Sequence, residues 1–334
     1  MGEMDAAVQF AYDLCVEQGG RPVLFPISDP WALAISKHKD MFAEVSEPCI
    51  AGFDAVDLLM DKERFCQWGH ERGFNTPCAY SLEEALGLGD ESFPIMAKPK
   101  VRRAATNIDS GELARHMDRL RCVPFADRSQ LERFVEKEQG LLEHLSFQQY
   151  VRGMSDNMYS VGVYLDRSST VLADFSWHKI RGYPADHGDF GIGENTELPP
   201  EVMERTRRLA KELDLTGMAE FEYKRDAVTG EFKLIEVNPR PWLWLGVVPL
   251  YGVNLPMIAY EDLTGTYLGG HNTPYPGKTR YMRVLDDLPN CLYRYESDHP
   301  EWSMTLTEWL RDLRTDRTVF FELTHRDWMV GLVF

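Results

Sequence analysis

The residues with most chemistry to offer lie in one stretch, Gly217 to Arg240. Its two halves alternate polar and apolar side chains around a turn containing Gly230, the mark of a β-hairpin. On the first strand Ala219, Phe221 and Tyr223 point one way, and Glu220, Glu222 and Lys224 the other. On the second, Phe232, Leu234, Glu236 and Asn238 share a face. A loop over residues 227–231 sets Glu222 directly opposite Glu236. Opposed like charges destabilise a strand pair. At an effective dielectric of about 20, two carboxylates about 4 Å apart repel by roughly 4 kcal/mol. A cation between them would relieve this. Glu222, Glu236 and Asn238 together offer hard oxygen ligands that suit Mg²⁺, which completes its shell with water and phosphate oxygens. Arg240 would stand beside the metal, where a transferring phosphoryl group needs its charge neutralised. The alternative is a solvated hairpin face bearing ordinary glutamates.

Two lysines extend the pattern. Lys62 follows Asp61 at a helix start, where amide groups and the helix dipole favour an anion. Lys98 ends an apolar strand between Ala97 and Pro99 with no acidic neighbour, so burial would call for an anionic ligand. Each can also be a surface lysine with its stem laid along apolar neighbours. The stretch Phe147-Gln148-Gln149-Tyr150-Val151 is an apolar strand turning polar before Arg152-Gly153, and its backbone could read the edge of a base. His178, His187 and His271 are isolated and read as structural or surface residues.

The elements that must position these groups follow from local signals. Residues 5–18 read as a helix stopped by Gly19-Gly20. Residues 22–27 form a short strand candidate, followed by a helix from Trp31 to Phe42, a βα unit. Asp61 caps a helix over 62–72. Ser81/Glu84, Ser129/Glu132 and Thr305/Glu308 are spaced as capping boxes. Strands are expected at 93–99, at 145–151 and, as a pair, within 158–182; residues 183–198 read as a long loop, and Pro200 opens a helix to Leu213. The polar segment 100–112, with Arg102 and Arg103, reads as a loop. Strands and helices mix without strict βαβα order, which favours α+β lobes behind an N-terminal βα piece.

Composition narrows the class. The chain has 334 residues, 44% hydrophobic and 27% charged, enough for a substantial core in more than one domain. No run approaches the roughly 18 apolar residues of a membrane span, and no signal peptide is visible at the N-terminus. With 36 basic and 53 acidic residues the net charge is −17, which argues against nucleic-acid and anionic-membrane partners but not against a small anionic ligand held by local lysines. The six cysteines are scattered without a CxxC pair, so neither a disulfide framework nor a zinc site is signalled, and a reducing cytoplasm is the default location.

Taken in order, the pieces resemble the ATP-grasp superfamily: Asp61-Lys62; Phe93 to Lys98-Pro99; Gln148 to Val151 with Gly153; Glu222; and Glu236-Val237-Asn238-Pro239-Arg240. The chain looks most like the carboxylate–amine ligase and D-aspartate-ligase-like branch, through Val23 to Asp29, Lys179 to Pro184, and Leu306 to Leu310. The resemblance runs from about residue 22 to the end. It implies an α+β fold with two lobes clasping ATP behind a truncated Rossmann-like piece. The corresponding divisions are 1–60, 61–150 for the small lobe, 151–268 for the large lobe, and a C-terminal extension over 269–334. By the same resemblance Lys62 and Lys98 contact ATP phosphates, Gln148, Gln149, Tyr150 and Val151 form the adenine hinge, and Asp156 is the ribose candidate. Lys179 and Arg181, on one strand face, point at the γ-phosphate; Glu222, Glu236 and Asn238 bind Mg²⁺; and Arg240 stabilises the transferring phosphoryl group.

The chain departs from the family pattern in three places. It starts with a helix where a first Rossmann strand is usual, it has glutamines at 148 and 149 where an acidic residue is common, and the loop Pro99 to Asp109 has no glycine. The implied reaction joins a small-molecule carboxylate to an amine through an acyl phosphate. A nucleotide-binding protein without ligase activity, or an ATPase or kinase that stops at the acyl phosphate, are the alternatives. The missing first strand leaves the edge of residues 23–27 to be covered by a partner protomer, giving a homodimer, or by a longer natural N-terminus.

Overall fold

In the computed structural model, which describes residues 3–100, 122–186 and 188–321, the stretch read as a hairpin is β10 (Gly217–Arg225) paired with β11 (Phe232–Asn238). Arg102 and Arg103, the glycine-free loop to Asp109, and His187 lie outside the described residues. The hairpin forms one edge of a seven-stranded sheet ordered β11-β10-β7-β8-β9-β12-β13. The other members are β7 (Met158–Leu165), β8 (Val171–Tyr183), β9 (Asp189–Asn195), β12 (Thr279–Met282) and β13 (Arg317–Phe320). Neighbours are antiparallel except β12 and β13.

The register sets Glu222 opposite Glu236 and Glu220 opposite Asn238. Between Glu222 and Tyr223 it slips, because Tyr223 pairs with Leu234 and leaves Ile235 as a bulge. Leu234 therefore faces the core with Tyr223, opposite to Glu236, and the shared face read from strict alternation holds only from Glu236 onward.

The core face of this edge (Val161, Val163, Ala219, Phe221, Tyr223 and Leu234) packs against the helix Pro200–Glu212 and against the N-terminal helices through Ile35, Phe42 and Val56. The opposite face carries an aromatic cluster of Phe175, Trp177, Trp242, Trp244 and Tyr281. The described part of the C-terminal segment is more than an appendage. Strands β12 and β13 extend the large sheet, and β12 pairs with β9 in the segment read as a loop. There Phe190 and Ile192 alternate with Gly191 and Gly193, and the glycines mask the strand pattern.

At the N-terminus β1 (Val23–Leu24) pairs in parallel with β2 (Glu47–Pro48), so the strand does have a neighbour within the chain. The connection between them is two helices, Asp29–Lys37 and Lys39–Val45, rather than one over 31–42. This unit sits directly on the large sheet: Thr216 Oγ1, just before β10, donates to the Ile50 carbonyl at 2.9 Å, and a Cβ at Gly217 would come within 2.8 Å of the Cys49 carbonyl carbon.

The smaller sheet is ordered β3-β6-β4-β5, with β3 (Ala79–Tyr80), β4 (Ile95–Pro99), β5 (Val123–Phe125) and β6 (Leu145–Gln149), all antiparallel. Ile95, Ala97, Leu145 and Phe147 point into its own core with Ala85 and Leu131 from the covering helices. The intervening Met96, Lys98, Ser146 and Gln148 therefore share the opposite face. The boxes at Ser81 and Thr305 form as spaced, whereas the helix expected to start at Ser129 is capped by Asp127, which accepts from the Gln130 amide. The six cysteines are free thiols. Among the described residues no helix is long and apolar enough to cross a membrane.

Gly162 on β7 faces Glu220, and a Cβ there would overlap the Trp242 indole. Gly162→Ala should therefore lower stability by about 1–3 kcal/mol through overpacking. Urea unfolding followed by tryptophan fluorescence checks this, and an unchanged midpoint would mean that the indole shifts at no cost.

Candidate functional site

Two faces meet in the cleft between the sheets. The hairpin contributes Glu220, Glu222, Glu236 and Asn238, and the small sheet contributes Lys98. Asn238 is buried and its Nδ2 donates to Glu222 Oε1 at 2.8 Å and to Glu220 Oε2 at 3.2 Å. Glu220 also accepts from Trp244 Nε1 at 2.7 Å. Burial, and then the charge of Glu222, push the Glu220 carboxyl up to about 8. Glu220 is the residue that the sequence reading left out. The signal was present, since the register that opposes Glu222 and Glu236 also opposes Glu220 and Asn238.

Among the described residues no group of three or more His, Cys, Asp or Glu side chains is arranged to hold a metal ion by itself. What the hairpin offers is carboxylates from two strands and one amide. Such a donor set fits a hard divalent cation that fills its shell with phosphate and water oxygens.

Lys62 Nζ lies 3.6 Å from Glu236 Oε1, joining the helix Lys62–Glu71 to the hairpin. The end of that helix is already occupied, because Asp61 accepts from the Glu63 and Arg64 amides. The lysine side chain, rather than the helix terminus, is what faces the cleft charges. Lys98 is 8% exposed, and its ammonium is pushed down by burial and by Lys62, with Glu236 opposing.

At the hinge Gln148 is buried beside Met96, with Nε2 3.6 Å from Sδ. Gln149 Oε1 is buried with no partner among the described residues. The Tyr150 amide donates to the Pro94 carbonyl at 3.2 Å, and Val151 is buried at the strand's exit. The next residue fastens the hinge to the hairpin turn: Arg152 donates to both oxygens of Asp226 at 2.9 and 3.0 Å, and its carbonyl accepts from the Ala227 amide at 3.0 Å. Burial alone would raise the Asp226 pKa, but Arg152 and the Thr229 and Val228 amides hold it well below the usual carboxylate range. Asp156 sits in the turn before β7, accepting from Asn157 Nδ2 at 2.8 Å, and His178 bonds to its carbonyl at 2.7 Å.

Arg240 leaves the hairpin and forms an ion pair with Asp29, so the N-terminal βα unit reaches the same cleft. Lys179 and Arg181 part company. Bulges on either side of Arg181 break the alternation of β8 against β9. Lys179 Nζ donates to the Gly188 carbonyl at 3.0 Å and acts on Lys224. Arg181 is 4% exposed and is taken up by Asp287 at 2.9 and 3.1 Å and by Asp312 at 2.7 Å, in the C-terminal segment. The expectation that both residues point at a γ-phosphate from one face fails for Arg181.

No family model matches the chain. A D-aspartate ligase of Enterococcus faecium (strain Aus0004) is 20% identical over 332 residues, covering 96% of this chain and 77% of that protein. The biotin carboxylase domain of Hydrogenobacter thermophilus 2-oxoglutarate carboxylase, solved with MgADP, ADP and bicarbonate, matches with a TM-score of 0.60 at 17% identity, over 81% of this chain and 60% of that one. Biotin carboxylase from Campylobacter jejuni, a β,γ-ATP complex, matches at 0.61 and 16%, over 83% and 61%. An L-amino acid ligase from Bacillus licheniformis matches at 0.56 and 18%, over 83% and 65%. The chain thus spans under two thirds of each of these solved structures. These likenesses show that the chain has the ATP-grasp fold.

Arg181→Met should leave Asp287 buried and uncompensated, and so lower stability by about 3–5 kcal/mol. Chemical unfolding measures this; full stability combined with lost activity would return Arg181 to the reaction.

Proposed function

We propose that this protein is an ATP- and Mg²⁺-dependent ligase that joins a carboxylate to an amine through an acyl phosphate. The observation that carries the reading is the convergence of Lys62 and Lys98 with the carboxylates of β10 and β11 in one cleft. Cations on one side and a metal-type donor set on the other are what a triphosphate needs. The D-aspartate ligase relative and the L-amino acid ligase neighbour favour an amino acid among the substrates.

The reaction balances in two steps. A carboxylate oxygen attacks the γ-phosphorus and ADP leaves; the amine nitrogen then attacks the acyl carbon, phosphate leaves, and the nitrogen loses a proton. Mg²⁺, when bound, would neutralise phosphate oxygens. Glu220, Glu222, Glu236 and Asn238 are the residues that would hold it. Lys98 and Lys62 hold the phosphates, and the buried position of Lys98 strengthens that attraction. Tyr150 and Val151, anchored through Arg152 and Asp226, hold the base end. Arg240, oriented by Asp29, faces the developing charge of phosphoryl transfer. Lys179 Nζ is held by the Gly188 carbonyl in the turn that follows β8. The chain supplies position and charge, with no covalent nucleophile.

The test is ADP release across a panel of amino acids and amines, with product mass read directly. ADP release should need both a carboxylate and an amine, and a condensed product should appear. Glu236→Gln should lower turnover by orders of magnitude while the melting temperature stays close to that of the parent. ADP release that ignores the amine would overturn the ligase reading, and full activity in Glu236→Gln would overturn the metal reading.

A further inference from the structure

One buried charge in the cleft has no role in this scheme. Lys224 stands on β10 two residues beyond Glu222, on the same face and so roughly 7 Å further along the strand. It is 7% exposed, and among the described residues it forms no ion pair. Its Nζ lies 4.9 Å from the centre of the Tyr150 ring, in the hinge. The other charges acting on it come from three separate segments: Cys122 at the foot of β5, Asp186 and Lys179 around the β8–β9 turn, and Asp156. Cys122 in turn lies within electrostatic reach of Lys224, Lys98 and Lys62. Lysines from both lobes therefore converge on one point, although the chain as a whole carries a charge of −17.

Asp186 and Asp156 act on Lys224 without forming an ion pair with it; a desolvated ammonium without a direct carboxylate partner is costly, and one aromatic face recovers only part of the loss. A folded protein keeps such a group when a ligand supplies the missing anion. Position narrows the choice of ligand. Tyr150 lies on the base side, and Glu222 with Glu236 on the terminal-phosphate side, so Lys224 stands between base and metal.

We infer that Lys224 is a nucleotide ligand from the large lobe, its ammonium taking the α-phosphate that Lys98 and Lys62 approach from the other side. The assignment rests on the nucleotide reading above. It is distinct from a purely structural role in which Lys224 only props the Tyr150 ring.

Calorimetric titration of the full chain with MgADP, AMP and adenosine separates the two roles, using the parent, Lys224→Met and Lys224→Arg, with melting temperatures alongside. Lys224→Met should bind ADP and AMP about tenfold more weakly or worse, the loss of one charge-assisted contact. Its adenosine affinity and melting temperature should match the parent, and Lys224→Arg should fall between. Unchanged ADP and AMP affinity would overturn the inference. So would an equal loss for adenosine, which would mark a disturbed hinge, and so would a loss confined to ADP, which would move the contact to the β-phosphate. A parent chain that binds neither ADP nor AMP would overturn the nucleotide reading itself, whereas a parent that binds both while Lys224→Met matches it overturns only the role of Lys224.

Discussion

Three carboxylates on one face of a paired, half-buried hairpin repel one another, and most of what surrounds them answers that repulsion. Asn238 spans Glu220 and Glu222 with one amide group, Trp244 donates to Glu220, and Lys62 stands within ion-pair distance of Glu236. These contacts hold the group together, yet burial and then the charge of Glu222 still push the Glu220 carboxyl up. A fold that needed only stability would place apolar residues here, since removing buried charges of like sign is favourable. The retained crowding is intelligible as a site whose balance is restored by a cation brought in with its ligand.

The same constraint explains why distant parts of the chain meet at this edge. The hairpin turn is fastened to the hinge through Asp226 and Arg152, so the metal-type donors and the entrance between the lobes keep a fixed relation. The N-terminal βα unit closes another side through Asp29 and Arg240, and it packs on the core face of the strands that carry the carboxylates. The C-terminal strands lie at the far end of the sheet, where Arg181, Asp287 and Asp312 form a buried knot of their own. Charge is thus divided between a knot in the C-terminal segment and a cleft where Lys62 pairs with Glu236 and Arg240 with Asp29.

What the sequence made legible was local. Strand alternation, the length of the turn, the Asp61 cap and the lysine ending an apolar strand are set within a few residues, and from them came the opposition of Glu222 to Glu236 and the α+β lobes. Features set by distant pairings were not legible. The bulge at Ile235 depends on what Tyr223 packs against, and the bulges about Arg181 depend on β9, whose glycines hid it. β2 is two residues long and contains Pro48, so it gives no strand signal until β1 is laid beside it. Lys224 falls on a polar-looking face of its strand, and the Tyr150 ring that lies beside it is far away in sequence.

An acidic protein gains something specific by keeping its cations in one cleft. Surface carboxylates in excess repel a triphosphate at long range, but that field is screened beyond about 8–10 Å at physiological salt. Lys98 and Lys224 are each less than a tenth exposed, so their attraction acts at short range and low screening. On the function proposed above, selectivity then depends on reaching the cleft with the right shape, one end fitted to the hinge and the other bringing a metal to the glutamates. A small anion could satisfy one lysine, but it could not span the hinge and the hairpin together. The division between an acidic exterior and a cationic interior therefore discriminates by length as well as by charge, and the two lobes set that length.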